Sequence, residues 1–262
     1  MKKIVVLVAA ALLLAAGCSK KAANVLTVGA TPEPHAAILN LIVDDLADAG
    51  VTLKVVEFTD YVTPNEAVEN GQIDANYFQH IPYLESFNEE RGYHLVNAAG
   101  IHIEPLALYS RKYADAADIP DGSTIAIPND PTNEGRALLL LQAEGYIVLD
   151  PAAGLTAVPS DIVENAHGFA FTEIEAASLP RVLDDVDAAV INGNYALNAG
   201  LTALEDGLLV ESETSPYVNV LAVKDGRQDD ERIQKLIAAL KSQKVKNYIT
   251  KRYPKGEVVA VF

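Results

Sequence analysis

Four aromatic or imidazole side chains stand close together in the first third of the chain: Tyr61, Phe78, His80 and Tyr83. Farther on come an arginine and several amides: Asn129, Asn133 and Arg136, then Asn192 and Asn194, then Asn219. A guanidinium presents a planar fork of N–H donors that matches a carboxylate. Amide oxygens, as on Asn194 and Asn219, accept from an ammonium group. Rings suit an apolar tail, and a sulfur at a ring edge gains about 0.3–1.5 kcal/mol. Carboxylate, ammonium and apolar tail describe a free α-amino acid. Taken singly, each residue has a plainer role. Arg136 could form a surface ion pair with Glu134 or Asp130, Asn192-Gly193-Asn194 reads as a turn, and the rings, with Tyr109 and Tyr195, could simply pack.

The elements behind these residues favour the joint reading. Val51–Phe58 reads as a strand and is followed by Tyr61. Ile73–Tyr77 reads as a buried strand after the Asn70-Gly71 turn, and Phe78, His80 and Tyr83 come next, with Pro82 in the first turn of a helix that Gly92 closes. Ser123–Ile127 is followed by Asn129, Asn133 and Arg136, at the start of a helix that Asp130 or Thr132 could cap and whose free N–H groups favour an anion. Val186–Ile191 is followed by Asn192 and Asn194, with a short helix expected over Tyr195–Ala199. In open α/β sheets ligands lie in the crevice beyond the carboxyl ends of the strands. The remaining pattern gives a strand over Val25–Gly29, helices over about His35–Ala49, Val158–Asn165 and Ala176–Asp185, and one long helix from about Asp229 to Tyr253. Strands alternating with helices imply mostly parallel sheets flanked by helices. Two extended stretches, one interrupted by Glu104-Pro105 and one around Asn219, read as crossings between two such units.

The chain has 262 residues, half of them apolar, which is ample for a core in one or two domains. Lys2 and Lys3 precede an apolar run, Ile4–Ala16, that is too short and wrongly flanked to span a membrane. The single cysteine, Cys18, follows Ala15-Ala16-Gly17, which resembles the cleavage site of bacterial lipoproteins, with Ala15 standing where leucine is commoner. Residues 1–17 are therefore expected to be a signal peptide, Cys18 a lipidation site and 18–24 a tether, giving an exported protein anchored to the cell membrane on a periplasmic or extracellular face. No internal disulfide can form. Twenty basic residues against 36 acidic ones, a formal net charge of −16, make nucleic acid an unfavourable partner. Zinc-type spacing is absent, and His35, His80, His94, His102 and His167 are scattered, so no metal and no cofactor are expected. There is no G-x-S-x-G, phosphate loop or dinucleotide turn, so an enzyme is not expected. The rivals are a cleft enzyme, a metal-uptake receptor, which would need the histidines to converge, and an interaction protein with no small ligand.

The strings DYVTPNEAVENGQIDANYFQHIPYL, IHIEPLALYS, IPNDPTNEGRALLLLQ, LPRVLDDVDAAVINGNYA and SPYVNVLAV resemble the NlpA/MetQ family of methionine-binding lipoproteins, over nearly the whole chain beyond the leader and in order. The resemblance implies a two-lobed type II periplasmic-binding-protein fold joined by two crossing strands, with lobe 1 from 25–104 plus 219–262 and lobe 2 from 105–218. It also implies a monomer that hands L-methionine or a close analogue to an ABC permease and its ATPase. Another small amino acid, D-methionine or a short peptide stays open as the ligand. By motif, the thioether pocket falls on Tyr61, Phe78, His80 and Tyr83, and the contacts to the amino and carboxylate ends on Asn133, Arg136, Asn194 and Asn219.

Overall fold

The computed structural model describes residues 24–212 and 215–262. The expected leader, Cys18 and all of the tether but Asn24 lie outside the described residues.

In chain order, β1 (Val25–Ala30) is followed by an irregular helical segment, Pro32–Ala36, then α1 (Ala37–Leu41) and α2 (Val43–Asp48), β2 (Thr52–Glu57) and α3 (Thr63–Glu69). Next, β3 (Ala75–His80) runs directly into α4 (Ile81–Arg91), and β4 (Leu95–Ile103) passes through Glu104 and Pro105 to β5 (Ala107–Tyr109). Then come β6 (Thr124–Pro128), α5 (Pro131–Ala143), β7 (Val148–Leu149), β8 (Ile162–Glu164), β9 (Ala170–Ile174), β10 (Ala188–Ile191), α6 (Gly193–Asn198), α7 (Ala203–Asp206) and β11 (Gly207–Val210). The chain closes with β12 (Val218–Lys224), α8 (Glu231–Leu240), α9 (Gln243–Arg252) and β13 (Val259–Ala260).

The strands form two principal sheets, ordered β13-β4-β12-β3-β1-β2 and β11-β5-β10-β6-β9, and β7 pairs β8 apart from them. Within the first, β1 is parallel to β2 and β3, while β12 runs antiparallel to β3 and β4. Within the second, β6 is parallel to β9 and β10, and β5 runs antiparallel to β10 and β11. The parallel strands come from strand–helix units; the antiparallel ones enter where the chain crosses from one sheet to the other. Each sheet has its own apolar core, one around Leu26, Tyr77, Ile101 and Leu221, the other around Leu108, Ile127, Leu138 and Val190. Burial of such side chains, at roughly 25 cal/mol per Å² of apolar surface, is what holds the helices to the sheets.

Several boundaries differ from those read in the sequence. β3 extends to His80, because all six of its residues are buried and polar Asn76, Gln79 and His80 interrupt the apolar run without turning outward. Phe78 and His80 thus belong to the strand instead of following it. His80 also begins α4: its side chain accepts from the Tyr83 N–H, and Gly92, left-handed at φ 65°, ends the helix. The first helix is broken at Ile42, where φ −107° and ψ 8° leave the helical range. The segment 158–165 is a single 3₁₀ turn at Pro159–Asp161 and then β8, not a helix. Likewise Ala176–Val182 is 3₁₀ around Pro180, which cannot supply a helical N–H. The helix after β10 starts at Gly193, so Asn194 lies in its first turn. The long C-terminal helix is two helices, since Ser242 accepts from the Val245 N–H and starts a second one.

Gly135 marks the tightest approach on α5. A Cβ there would lie 2.2 Å from the Leu155 carbonyl oxygen and 2.9 Å from the Ala157 nitrogen, both backbone atoms that cannot rotate away. Gly135→Ala is expected to destabilise the fold by about 1–3 kcal/mol, as overpacking does, read as a lowered midpoint in thermal or urea denaturation.

Candidate functional site

A narrow cavity lies between the two sheets, lined by Tyr61, Phe78, Gln79, His80, Tyr83, Glu104, Asn133, Arg136, Asn192, Gly193, Asn194 and Asn219. All eight residues singled out by motif are on its wall.

The aromatic side is built on β3, α4 and the loop after β2. The Tyr61 ring lies 5.7 Å from Phe78 and 5.9 Å from Tyr83, and Phe78 lies 6.0 Å from Tyr83, edge to face. These are favourable ring spacings. The Tyr83 hydroxyl donates to the Tyr61 carbonyl at 2.9 Å and fixes the loop that carries Tyr61. His80 is held in one tautomer. Its Nδ1 accepts from the Tyr83 N–H, so Nε2 carries the proton and donates to Asn133 Oδ1 at 3.0 Å. Burial, with Arg136 nearby, lowers its pKa to about 3, so it is neutral and serves as a donor rather than a base.

The polar side comes from α5, α6 and the crossings. Asp130 caps α5, accepting from the Asn133 N–H at 3.1 Å. The Asn133 amide is used within the protein: Nδ2 donates to Asp130, and Oδ1 accepts from His80 and, at 2.7 Å, from Asn192 Nδ2. Asn133 therefore places its neighbours and has little left for a solute. Asn192 Oδ1 and Asn194 Nδ2, by contrast, are buried with no partner among the described residues. A buried orphan costs about 1–3 kcal/mol, so these atoms are poised for a ligand. The free atom on Asn194 is a donor, because its oxygen accepts from the Tyr61 hydroxyl at 2.5 Å. It suits a carboxylate, where the sequence suggested an ammonium. Asn219, at the start of β12, uses its oxygen to accept from His35 Nε2 at 3.0 Å, and a second lone pair remains.

Arg136 is not a surface residue paired with Glu134 or Asp130. It is 4 % exposed, and its partner is Glu211, 75 residues on. Nε donates to Glu211 Oε1 at 2.9 Å, Nη2 pairs with Glu211 Oε2, and Nη2 also donates to the Glu104 carbonyl at 2.8 Å. The guanidinium lies 4.3 Å from the Tyr217 ring centre, a cation–π distance. Nη1 makes no hydrogen bond to another of the described residues.

Glu104, read in the sequence only as part of a strand-breaking pair, is the second buried charge on the wall. Burial raises its pKa, while His35 and Arg136 pull it back. Its Oε1 lies 2.6 Å from His102 Nε2 and 3.2 Å from His35 Nε2. Two of the scattered histidines thus do converge. Ligands sharing one zinc ion at about 2.0–2.2 Å must stand roughly 3 Å or more apart, so the shorter spacing is that of a hydrogen bond. Of the residues that bear on the site, Asn192 appeared in the strand-end pattern without being carried into the set, Glu104 was misread, and Glu211 and His35 gave no local signal.

Comparison with known proteins bears on the same region. A family model described as NlpA lipoprotein matches residues 26–262. The D-methionine-binding lipoprotein MetQ of Escherichia coli K12 is 44% identical over 80% of this chain and 78% of its own length. The solved structure of a nutrient binding protein from Burkholderia cenocepacia bound to methionine superposes with a TM-score of 0.87, is 45% identical, and covers 90% of this chain and 100% of its own. An ABC transporter periplasmic substrate-binding protein from Coxiella burnetii superposes at 0.86 with 38% identity, covering 90% of this chain and 100% of its own.

His35, His80 and His102 are buried as neutral rings, with pKa values lowered from 6.5 to about 4, about 3 and about 3. Below the unfolded value of 6.5 the unfolded chain binds protons that the folded one does not, so their contribution to stability is complete above pH 6.5 and is lost as pH falls towards 4. The thermal midpoint is expected to fall from pH 7 to pH 5. His80→Gln should flatten that fall relative to the parent.

Proposed function

The chain belongs to the NlpA lipoprotein family, and from that premise we propose that it captures L-methionine, or a close analogue, in this cavity and delivers it to an ABC permease driven by its ATPase. The family is one of substrate-binding lipoproteins, not enzymes. One observation carries the reading: one cavity has rings on one side and, on the other, a guanidinium, an ionisable carboxylate and two amide atoms with no partner among the described residues. Arg136 Nη1 and Asn194 Nδ2 would hold the carboxylate. Glu104, Asn192 Oδ1 and Asn219 Oδ1 would receive the ammonium. Tyr61, Phe78 and Tyr83 would sheathe the thioether, and His80 and Asn133 would fix the mouth.

The remaining assignments belong to the same proposal. Lobe 1 comprises 25–104 and 219–262, and lobe 2 comprises 105–218; the division of strands between the sheets supports this, since β5 to β11, apart from the β7–β8 pair, form one sheet and the others the second. The body works as a monomer. Cys18 carries the lipid that tethers it to the outward face of the cell membrane. D-methionine is the second reading, favoured by the name of the Escherichia coli relative.

Calorimetry with both enantiomers, and native mass spectrometry of freshly purified protein, test the proposal directly. A protein that takes up neither enantiomer and carries no co-purified amino acid would rule it out. Arg136→Ala removes the only guanidinium on the wall and should weaken binding by about 100-fold or more, the scale of a buried ionic group left unpaired. An unchanged affinity would remove Arg136 from the site. Phe78→Ala should weaken methionine by roughly tenfold while leaving alanine and glycine almost unaffected. Equal losses for all three would mean the ring does not hold the tail.

A further inference from the structure

Behind Glu104 runs a chain of buried polar groups that the binding contacts leave unexplained. Thr31 Oγ1 lies 2.7 Å from His35 Nδ1, and His35 Nε2 reaches Glu104 Oε1 at 3.2 Å and Asn219 Oδ1 at 3.0 Å. From the other side the Tyr77 hydroxyl lies 2.5 Å from His102 Nδ1, and His102 Nε2 lies 2.6 Å from the same Glu104 oxygen. Thr31, Tyr77 and His102 are 0% exposed and His35 is 1%. None of the four lines the cavity.

The bonding pattern fixes where the protons are. Asn219 Oδ1 can only accept, and so can Glu104 Oε1 when Glu104 is ionised, so both Nε2 atoms then carry hydrogen. Both Nδ1 atoms then accept, from the Thr31 and Tyr77 hydroxyls. The rings are neutral in this arrangement, as burial in an apolar core favours. Burial alone disfavours an ionised Glu104, and hydrogen bonds donated by neutral groups favour the charged form without cancelling its charge. A carboxylate held by lysine or arginine would have its charge cancelled. Arg136 favours the charged form of Glu104 from nearby but makes its ion pair with Glu211. With Glu104 ionised, Arg136, Glu211 and Glu104 together carry one negative charge in excess.

We propose that His35 and His102 are positioning residues that hold Glu104 as an uncompensated anion aimed at the ligand, and so make a cationic nitrogen on the solute obligatory. The inference rests on the amino-acid reading above and deepens it by naming the ionic requirement and its source. The relay gives the site selectivity for the ammonium end independently of the rings that select the tail. Tyr77 and Thr31 act at its outer ends by locking the tautomers.

The test compares methionine, in whichever enantiomer the parent binds, with 4-(methylthio)butanoate, the same skeleton without its ammonium. Affinities are measured by calorimetry, with competition for the weaker solute, on the parent, Tyr77→Phe and His102→Phe. Tyr77→Phe deletes one hydroxyl and keeps the ring, so it remains informative if His102→Phe fails to fold. Losing one buried hydrogen bond should weaken methionine by about five- to tenfold in Tyr77→Phe. The affinity for the des-amino analogue should stay within about twofold of the parent's, since the relay does not touch it. A loss equal for both solutes, or no loss for either, overturns the relay while leaving the amino-acid reading intact. A parent that binds neither enantiomer of methionine overturns that reading, and the relay with it.

Discussion

A guanidinium buried to 4 % exposure is the constraint that the site is built around. Removing Arg136 from water is costly unless its charge is paired and its N–H groups are bonded. The partners come from far along the chain: Glu211 just after β11, the carbonyl of Glu104 between β4 and β5, and the ring of Tyr217 just before β12. Each lies in or beside a crossing between the sheets. Satisfying one charge on α5 therefore fixes the path of both crossings, and with them the spacing of the two sheets. Glu211 reinforces this by accepting from the Leu106 N–H at 3.3 Å and from the Ser215 hydroxyl at 3.3 Å, one residue in each crossing.

Around that charge the polar groups divide by what they have left to give. Asn133 is saturated, and its work is to orient His80 and Asn192. Asn192 and Asn194 each keep one atom back. The difference follows from position. Asn133 stands beside Asp130, the α5 cap, whose carboxylate takes its amide protons. Asn194 stands in the first turn of α6, where, among the described residues, only the Tyr61 hydroxyl bonds to its side chain. The same residue type thus frames the cavity in one place and faces it in another.

Much of this was legible in the sequence, for definite reasons. Strand-end placement located Tyr61, Tyr83, Arg136 and Asn194 because a carboxyl end is a local feature that a turn or a helix start announces. Two-sheet architecture was legible from the alternation of strands and helices and from the two extended crossings, one of them interrupted by Pro105. What escaped was non-local or disguised. Glu104 beside Pro105 reads as an interruption; its buried carboxyl is partnered only because His35 and His102 arrive from the Pro32–Ala36 segment and from β4. Glu211 pairs with Arg136 across 75 residues, and no pattern along the chain foretells that. The end of β3 was misjudged because periodicity fails when both faces of a strand are covered. Ser242 was passed over as one more polar residue on a helix, though a serine there can equally open a new one.

The two sheets are tied directly across the cavity by Tyr61 to Asn194 and by His80 to Asn133. Both ties are hydrogen bonds between uncharged groups, one buried and the other partly so. Debye screening acts on charges exposed to water and scarcely on such bonds. On the outward face proposed above, a cell does not regulate the ionic strength of the medium. A clasp of this kind would grip with the same strength in dilute and in briny surroundings.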